Sequence, residues 1–537
     1  MQRGEAATGR GGAAGRDPSG GARGAADEPG AAAPLADAAP APDAAPAADA
    51  APAADATPPT WGAVVVGGGV AGLVAARELA RAGVAVLVLE RGAAPGGAVG
   101  AHEVAGLTLD TGAESFATRG GSVAELADEL GLTRRVVLPE PLGAWVQLPG
   151  LAGPLPRAGH LGIPADQWAE DVRRTIGRAG ALRASLDRVL PAWWAPRGDR
   201  ATLGALVRAR FGRRVLDRLV RPVVAGVMAA DPDDLAADSA SPGLRAALAR
   251  EGSLGGAVRS LRALAPAGSA VASFDGGLHV LVDALVADVV ARGGVVRTRA
   301  DVTGVRRVGT DSGAASGFEV VLRGEPAVSA GRLVLATPAA PDLLAAGLAP
   351  ELAGHRPDAG ADVVLATLVL DAPELDAAPR GTGVLVTPDV PGVRAKALTH
   401  ASAKWGWVAR SAGPGRHVVR LSYGVADRAS GSVADDPRDL DAAALTALAL
   451  RDASALLGVP LRPEQVLGAA RVAWSQSLPR PSAAHRDVVA RVRAAVDGLP
   501  EVAVCGAWVA GNGLASVVPD ARRAARALLE NGSTGKA

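Results

Sequence analysis

Cysteine is almost missing from this chain: Cys505 is the only one in 537 residues. No intramolecular disulfide can form, which fits a reducing compartment. Cys505 ends the apolar run 502–505 and reads as a small buried residue rather than a reactive thiol. Aromatics make up only 3%, with one Tyr and four Phe against nine Trp. The scarcity of Lys, Phe, Tyr and Met beside abundant Ala, Arg and Gly matches GC-rich codon usage and says little about function. A surplus of one charge is missing too: 56 basic and 55 acidic residues leave a net charge of +1. Nucleic-acid binding therefore has no electrostatic support. No uninterrupted apolar stretch reaches the roughly 20 residues of a membrane-spanning helix.

Large apolar side chains are also missing from residues 1–60, where Leu35 is the only large aliphatic among Ala, Pro, Gly and Asp. Such a segment buries too little apolar area to offset its ordering entropy, so a disordered tail is expected, and no secretory signal. The remaining length exceeds one ordinary core and predicts two or three domains. Order is expected from Trp61. A β-branched run at 63–66 reads as a buried parallel strand, 73–82 as a helix and 84–89 as a second strand. From about 122 to 269 the patterns are helical (122–130, 169–190, 203–220), broken by Pro and Gly. Helix 278–291, strand 294–298, a hairpin at 302–308 and 318–322 and strand 332–336 follow. Alternating runs such as 363–370 and 417–423 mark a β-rich region, and strand 502–505 and helix 520–529 close the chain.

The strongest motif is Gly67-x-Gly69-x-x-Gly72, set between the first strand and its helix. Gly67 permits the tight turn, Gly69 lets backbone approach a pyrophosphate, and Gly72 lets the helix pack close to the strand. Val70 and Ala71 open the helix, whose unpaired N–H groups attract phosphate. Glu90 lies about 20 residues on, at the end of the second strand, placed for a ribose, with Arg91 beside it.

The sequence then continues into Gly96-Gly97 and into Asp110-Thr111-Gly112-Ala113. With these motifs it resembles the flavin-dependent amine oxidase and desaturase superfamily, although Ala98 stands where many relatives have Arg. The resemblance implies FAD, held also by Val302 in the segment 299–302, by Ala336 and Thr337 in the strand-turn 333–338, and by a closing motif. That motif comprises Gly506, Gly511, Gly513, Leu514, Ala515 and Val517. The implied fold is α/β: a discontinuous Rossmann-type FAD-binding domain (61–121, 270–340 and 476–537), a mostly helical insertion (122–269) and a β-rich substrate domain (341–475).

Within the superfamily, four segments resemble the protoporphyrinogen/coproporphyrinogen oxidases of haem synthesis: Ser115-Phe116-Ala117-Thr118-Arg119, 273–278, 401–405, and Leu478-Pro479-Arg480-Pro481 with His485. A Tyr usual in the last is absent. The resemblance implies six-electron oxidation of a porphyrinogen in three rounds, with a flavin accepting hydride and O2 giving peroxide. No catalytic side chain is needed, because the ring nitrogens lose protons readily. Arg119 is the candidate anchor for a propionate, with Lys404 and Trp405 as further substrate-binding candidates. No metal is expected. A cytoplasmic protein is expected, with peripheral membrane contact through the insertion, where Arg173, Arg174 and Arg178 accompany Trp168, Trp193 and Trp194. An amine oxidase, a carotenoid desaturase and a non-catalytic flavin-fold binding protein remain open as alternatives.

Overall fold

The computed structural model describes Ala36–Asp37 and residues 60–534, apart from 195, 197, 199–200, 229, 264–270, 310–316, 358–359, 361, 425–435 and 475–482. The rest of the expected tail and the Leu478-Pro479-Arg480-Pro481 segment lie outside the described residues.

The run Ala63–Val66 forms a strand buried along its whole length. It lies at the centre of a five-stranded parallel sheet ordered Val295–Arg297, Val86–Leu89, Ala63–Val66, Leu333–Leu335, Val502–Val504. Strands from four distant stretches of chain thus become neighbours. Burial on both faces explains why they read as continuous apolar runs rather than as alternation. Val65, Val88 and Val334 face one core, built with the helices Val70–Arg81, Val280–Ala291 and Leu514–Thr534. Val64, Leu87 and Leu335 face the other, which includes Phe318, Leu344 and Val492.

A second, eight-stranded sheet carries the β-rich region, with Val363–Asp371 between Val466–Trp474 and Arg416–Gly424. Ala36–Asp37 pairs at one edge with Ala470 and Arg471. At the other edge lies the hairpin Trp145–Leu148 and Leu151–Pro154, which pairs in parallel with Gly383–Val386. The stretch expected as mostly helical therefore also extends this sheet. One sheet face is covered by helix Ala442–Leu457, the other by Trp405, Trp407 and the hairpin Ala101–Val104 and Leu107–Asp110.

The helical stretch has its own core around Leu206, Phe211 and Leu219. Gly212, at φ +88, breaks the expected helix 203–220 into Leu203–Arg210, Arg213–Val215 and a π-turn, Leu216–Val220. Gly177, at φ 73, kinks Glu170–Ser185. The last helix starts at Leu514, upstream of the expected 520, and carries Pro519 inside it. Proline has no N–H for the carbonyl four residues back. Ala515 O instead accepts the Ser122 hydroxyl at 3.3 Å.

Candidate functional site

Three glycines of the first loop meet three different surroundings. Gly67 has φ +107, and a Cβ there would lie 2.6 Å from Ala336 O. A Cβ on Gly72 would lie 1.9 Å from Gly67 O, so the turn and the helix touch through backbone alone. At Gly69 nothing lies within 4 Å of the Cβ position. Gly69 is also the N-cap of Val70–Arg81, which has no side-chain cap. The helix thus starts without a side-chain cap, beside the open space at Gly69. Uncapped N–H groups and a partial positive charge beside open space suit a phosphate.

The loop is braced from behind. Glu90 accepts Gly68 N–H at 2.7 Å and Gly92 N–H at 2.6 Å, one on each carboxylate oxygen. A carboxylate has about four acceptor sites, so both oxygens keep capacity for ribose hydroxyls. Gly96 N–H donates to Gly68 O at 2.8 Å, and Gly97 lies against Gly69. Arg299 and Ala300 N–H donate to Gly92 O and Glu90 O, both at 2.9 Å. These bonds place the start of the Val302–Val308 strand beside Glu90 and the exposed Arg91.

Several of the remaining candidate cofactor residues pack together. Val70, Ala71, Leu514 and Val517 belong to one buried cluster, with Ala113 and Ala336 packed against it. Ala336 N–H donates to Val66 O at 2.8 Å, and the Thr337 hydroxyl accepts Ala339 N–H at 3.3 Å. Gly506 caps the short helix Ala507–Ala510. Gly511 and Gly513, like Gly69, have nothing within 4 Å of the Cβ position. They precede Leu514 and Ala515, where a second helix N-terminus begins. In the segment Thr111–Ala113, Thr111 and Ala113 N–H donate to Gly100 O and Ala98 O at 2.9 Å. The residues present fit a dinucleotide with an extended second half.

The three substrate candidates are not alike. Arg119 is exposed and makes no ion pair among the described residues. Burial holds the His160 imidazole below its ordinary pKa, helped by the cations of Arg119 and Arg262. Arg262 donates to Gly159 O at 2.8 Å. Lys404 is tied up: its Nζ lies 2.5 Å from Glu114 Oε1. Trp405 is only 2% exposed and packs in the core of the large sheet. His485 is also buried, its Nε2 2.8 Å from Trp508 O.

Several residues around these segments have roles that the sequence did not assign. Asp110 accepts Leu278 N–H at 2.8 Å and His279 N–H at 3.3 Å, and so caps the turn into Val280–Ala291. Arg420 lies 3.2 Å from Glu114 Oε2, and Trp474 Nε1 donates to Thr111 O at 3.1 Å. No spacing in the sequence could pair them, since Trp474 and Thr111 are 363 positions apart. Cys505 is fully buried, which pushes its thiol pKa up. A surface cleft of about 580 Å³ is lined by Glu140, Asp376, Ser402, Arg410, Arg416 and His417, and by none of the candidate cofactor residues. Among the described residues no helix is long and apolar enough to cross a membrane, and no His/Cys/Asp/Glu cluster is set to hold a metal.

Residues 70–529 match the model of the flavin containing amine oxidoreductase family. A coproporphyrinogen III oxidase of Mycobacterium leprae (strain TN) is 32% identical over 472 residues, covering 86% of this chain and 97% of that protein. One of Mycobacterium tuberculosis (strain ATCC 25618 / H37Rv) is 30% identical over 479 residues, covering 87% and 97%. A crystal structure from Exiguobacterium sp. 255-15, provisionally named a protoporphyrinogen oxidase, superposes with a TM-score of 0.72 at 23% identity, covering 87% of this chain and 98% of that one.

Proposed function

This chain belongs to the flavin-containing amine oxidoreductase family, and from that premise we propose that it is an FAD-dependent oxidase that aromatises a porphyrinogen in haem biosynthesis. The balance is porphyrinogen plus three O2 giving porphyrin plus three H2O2. The observation that carries this reading is the likeness, over 97% of their length, to relatives named coproporphyrinogen III oxidase. It favours coproporphyrinogen III over protoporphyrinogen IX. When bound, the flavin supplies a two-electron acceptor that O2 can reoxidise.

The chain's own residues bind, orient and exclude water. Val70–Gly72 and Leu514–Ala515 direct helix N-termini at negative charge. Glu90 takes the ribose, and Thr111–Ala113 with Val302, Ala336 and Thr337 line the rest. Arg119 is the propionate anchor: an exposed guanidinium with no carboxylate partner among the described residues is free to take one bidentately. Loss of a hydride from a bridging carbon would leave the adjoining pyrrole cationic and its N–H acidic, so no buried base is required.

The test is aerobic oxidation of anaerobically prepared coproporphyrinogen III and protoporphyrinogen IX, followed by porphyrin fluorescence and peroxide. Three peroxides per porphyrin are expected, with Arg119→Ala raising KM more than it lowers kcat. Oxidation of a polyamine or of phytoene, with neither porphyrinogen consumed, would overturn the reading.

Peripheral membrane contact belongs to the same proposal. Trp193 and Trp194 are 62% and 54% exposed. Leu182, Leu186, Val189 and Trp168 are exposed as well, and so are Arg173, Arg178 and Arg188. Exposed Trp beside Arg suits an anionic lipid interface.

A further inference from the structure

The segment Asp110–Glu114 is held from two sides. Backbone N–H groups of Thr111 and Ala113 donate to Gly100 O and Ala98 O and hold one side of it. Side chains of the large sheet grip the other: Arg420 Nη1 donates to Asp110 O at 3.2 Å, and Trp474 Nε1 donates to Thr111 O at 3.1 Å. The Trp474 ring also lies 3.2 Å from the Cβ position of Gly112. At the end of the segment the Glu114 carboxylate sits between two cations, Lys404 at 2.5 Å and Arg420 at 3.2 Å. All three side chains are under one-fifth exposed, at 14% for Glu114, 19% for Lys404 and 14% for Arg420. Burial pushes the Glu114 carboxyl up, but Lys404 and Arg420 outweigh that and hold it below the usual carboxylate range.

Two cations and one anion give the cluster itself a charge of +1, with the Asp110 carboxylate in the same pocket, next to Thr111–Ala113, a wall of the flavin site. Buried ion clusters stabilise folds poorly, because desolvation offsets most of the Coulomb gain. Joining chain segments 290 positions apart in one geometry is a better explanation of this one.

We propose that Glu114, Lys404 and Arg420 form a positioning clamp that sets both the grip on the flavin and the charge beside it. The clamp assigns Lys404 to the cofactor rather than to the substrate. It rests on the flavin and not on the porphyrinogen, so its test contains no porphyrinogen. Glu114→Gln keeps the shape, removes the anion and raises the charge of the cluster from +1 to +2. A unit charge in a partly buried site is worth a change of about tenfold or more in an equilibrium constant. Since reduced or adduct-bearing flavin gains negative charge, extra positive charge favours it.

The experiment uses FAD-loaded protein and two readouts, the FAD dissociation constant and the dissociation constant for sulfite added to the oxidised flavin. In Glu114→Gln, FAD should bind about tenfold more weakly and sulfite about tenfold more tightly. Glu114→Asp should recover most of the sulfite value. The double variant Glu114→Gln/Lys404→Gln restores the charge to +1, so its sulfite constant should return to near the parent value while FAD stays weakly held. Should the single variant fail to fold, the double variant against the parent still tests the clamp through FAD affinity. Constants within twofold of the parent in folded Glu114→Gln overturn the proposal. So does a fall in melting temperature with both constants unchanged, since that marks the cluster as structural only.

Discussion

Alanine at Gly69 and at Gly72 should separate cofactor binding from folding. At Gly72 the new methyl would lie 1.9 Å from Gly67 O, a backbone atom that cannot rotate away. Helix and strand must part, at a cost of about 3 kcal/mol or more by the measure of overpacked cores. At Gly69 the methyl meets no protein atom within 4 Å, and the backbone, at φ −69, accepts any residue. The fold should lose at most about 1 kcal/mol there, because Ala caps a helix less well than Gly. The open space at Gly69 is where a pyrophosphate would meet the helix N–H groups. Displacing it by a methyl radius forfeits one or two charge-assisted hydrogen bonds, about 2–3 kcal/mol, or roughly 100-fold in FAD affinity. The assay is thermal unfolding of flavin-free protein beside FAD titration by fluorescence quenching. The expected pattern is a nearly unchanged melt with weak FAD for Gly69→Ala, and a lowered melt for Gly72→Ala. Parent-like FAD affinity in Gly69→Ala would refute the assignment of this loop to phosphate.

Arg210 is fully buried against Asp187 at 2.6 Å and also donates to the carbonyls of Leu190, Pro191 and Gly252. Arg210→Met should destabilise the helical stretch by about 3–5 kcal/mol, seen in urea unfolding and as new proteolytic cuts within 122–269. Burial lowers the imidazoles of His102 and His400 from 6.5 to about 4; Arg420 adds to the shift at His102 and His417 to that at His400. The unfolded chain therefore binds more protons between those values. Stability is full above pH 6.5 and falls as pH drops toward 4, by roughly 3 kcal/mol for each histidine. His102→Gln should flatten denaturation midpoints measured between pH 7.5 and 4.5, which is checked by comparing the two profiles. For the exposed Trp pair, the parent should cosediment with phosphatidylglycerol vesicles at low salt, and Trp193→Ser/Trp194→Ser should stay in the supernatant. A parent that does not sediment removes the membrane from the proposal.

Local features are legible in the amino-acid sequence. The glycine spacing, the β-branched run before it and the amphipathic helix after it act within a few residues of one another, so sequence neighbours decide them. The helix there runs Val70–Arg81 and the next strand Val86–Leu89, close to the patterns that predict them. The family resemblance is legible for the same reason, since its motifs are short and contiguous. Pattern misleads where backbone geometry competes with it: the apolar rhythm of 203–220 continues through Gly212, but the chain turns there at φ +88.

What the sequence determined by itself is the glycine-rich loop, the flavin family and the segments that carry them, because each depends on short-range spacing. Only the tertiary structure decided which charges are free. Arg119 and Lys404 look equivalent as letters, yet one guanidinium is exposed and one ammonium is bonded to Glu114, 290 positions away. Asp110 likewise lies within a cofactor motif but spends its carboxylate on the N–H groups of Leu278 and His279. The physical reason is common to Lys404 and Asp110. A charged side chain is assigned by the partner that repays its desolvation, and that partner is brought close by strand order rather than by sequence.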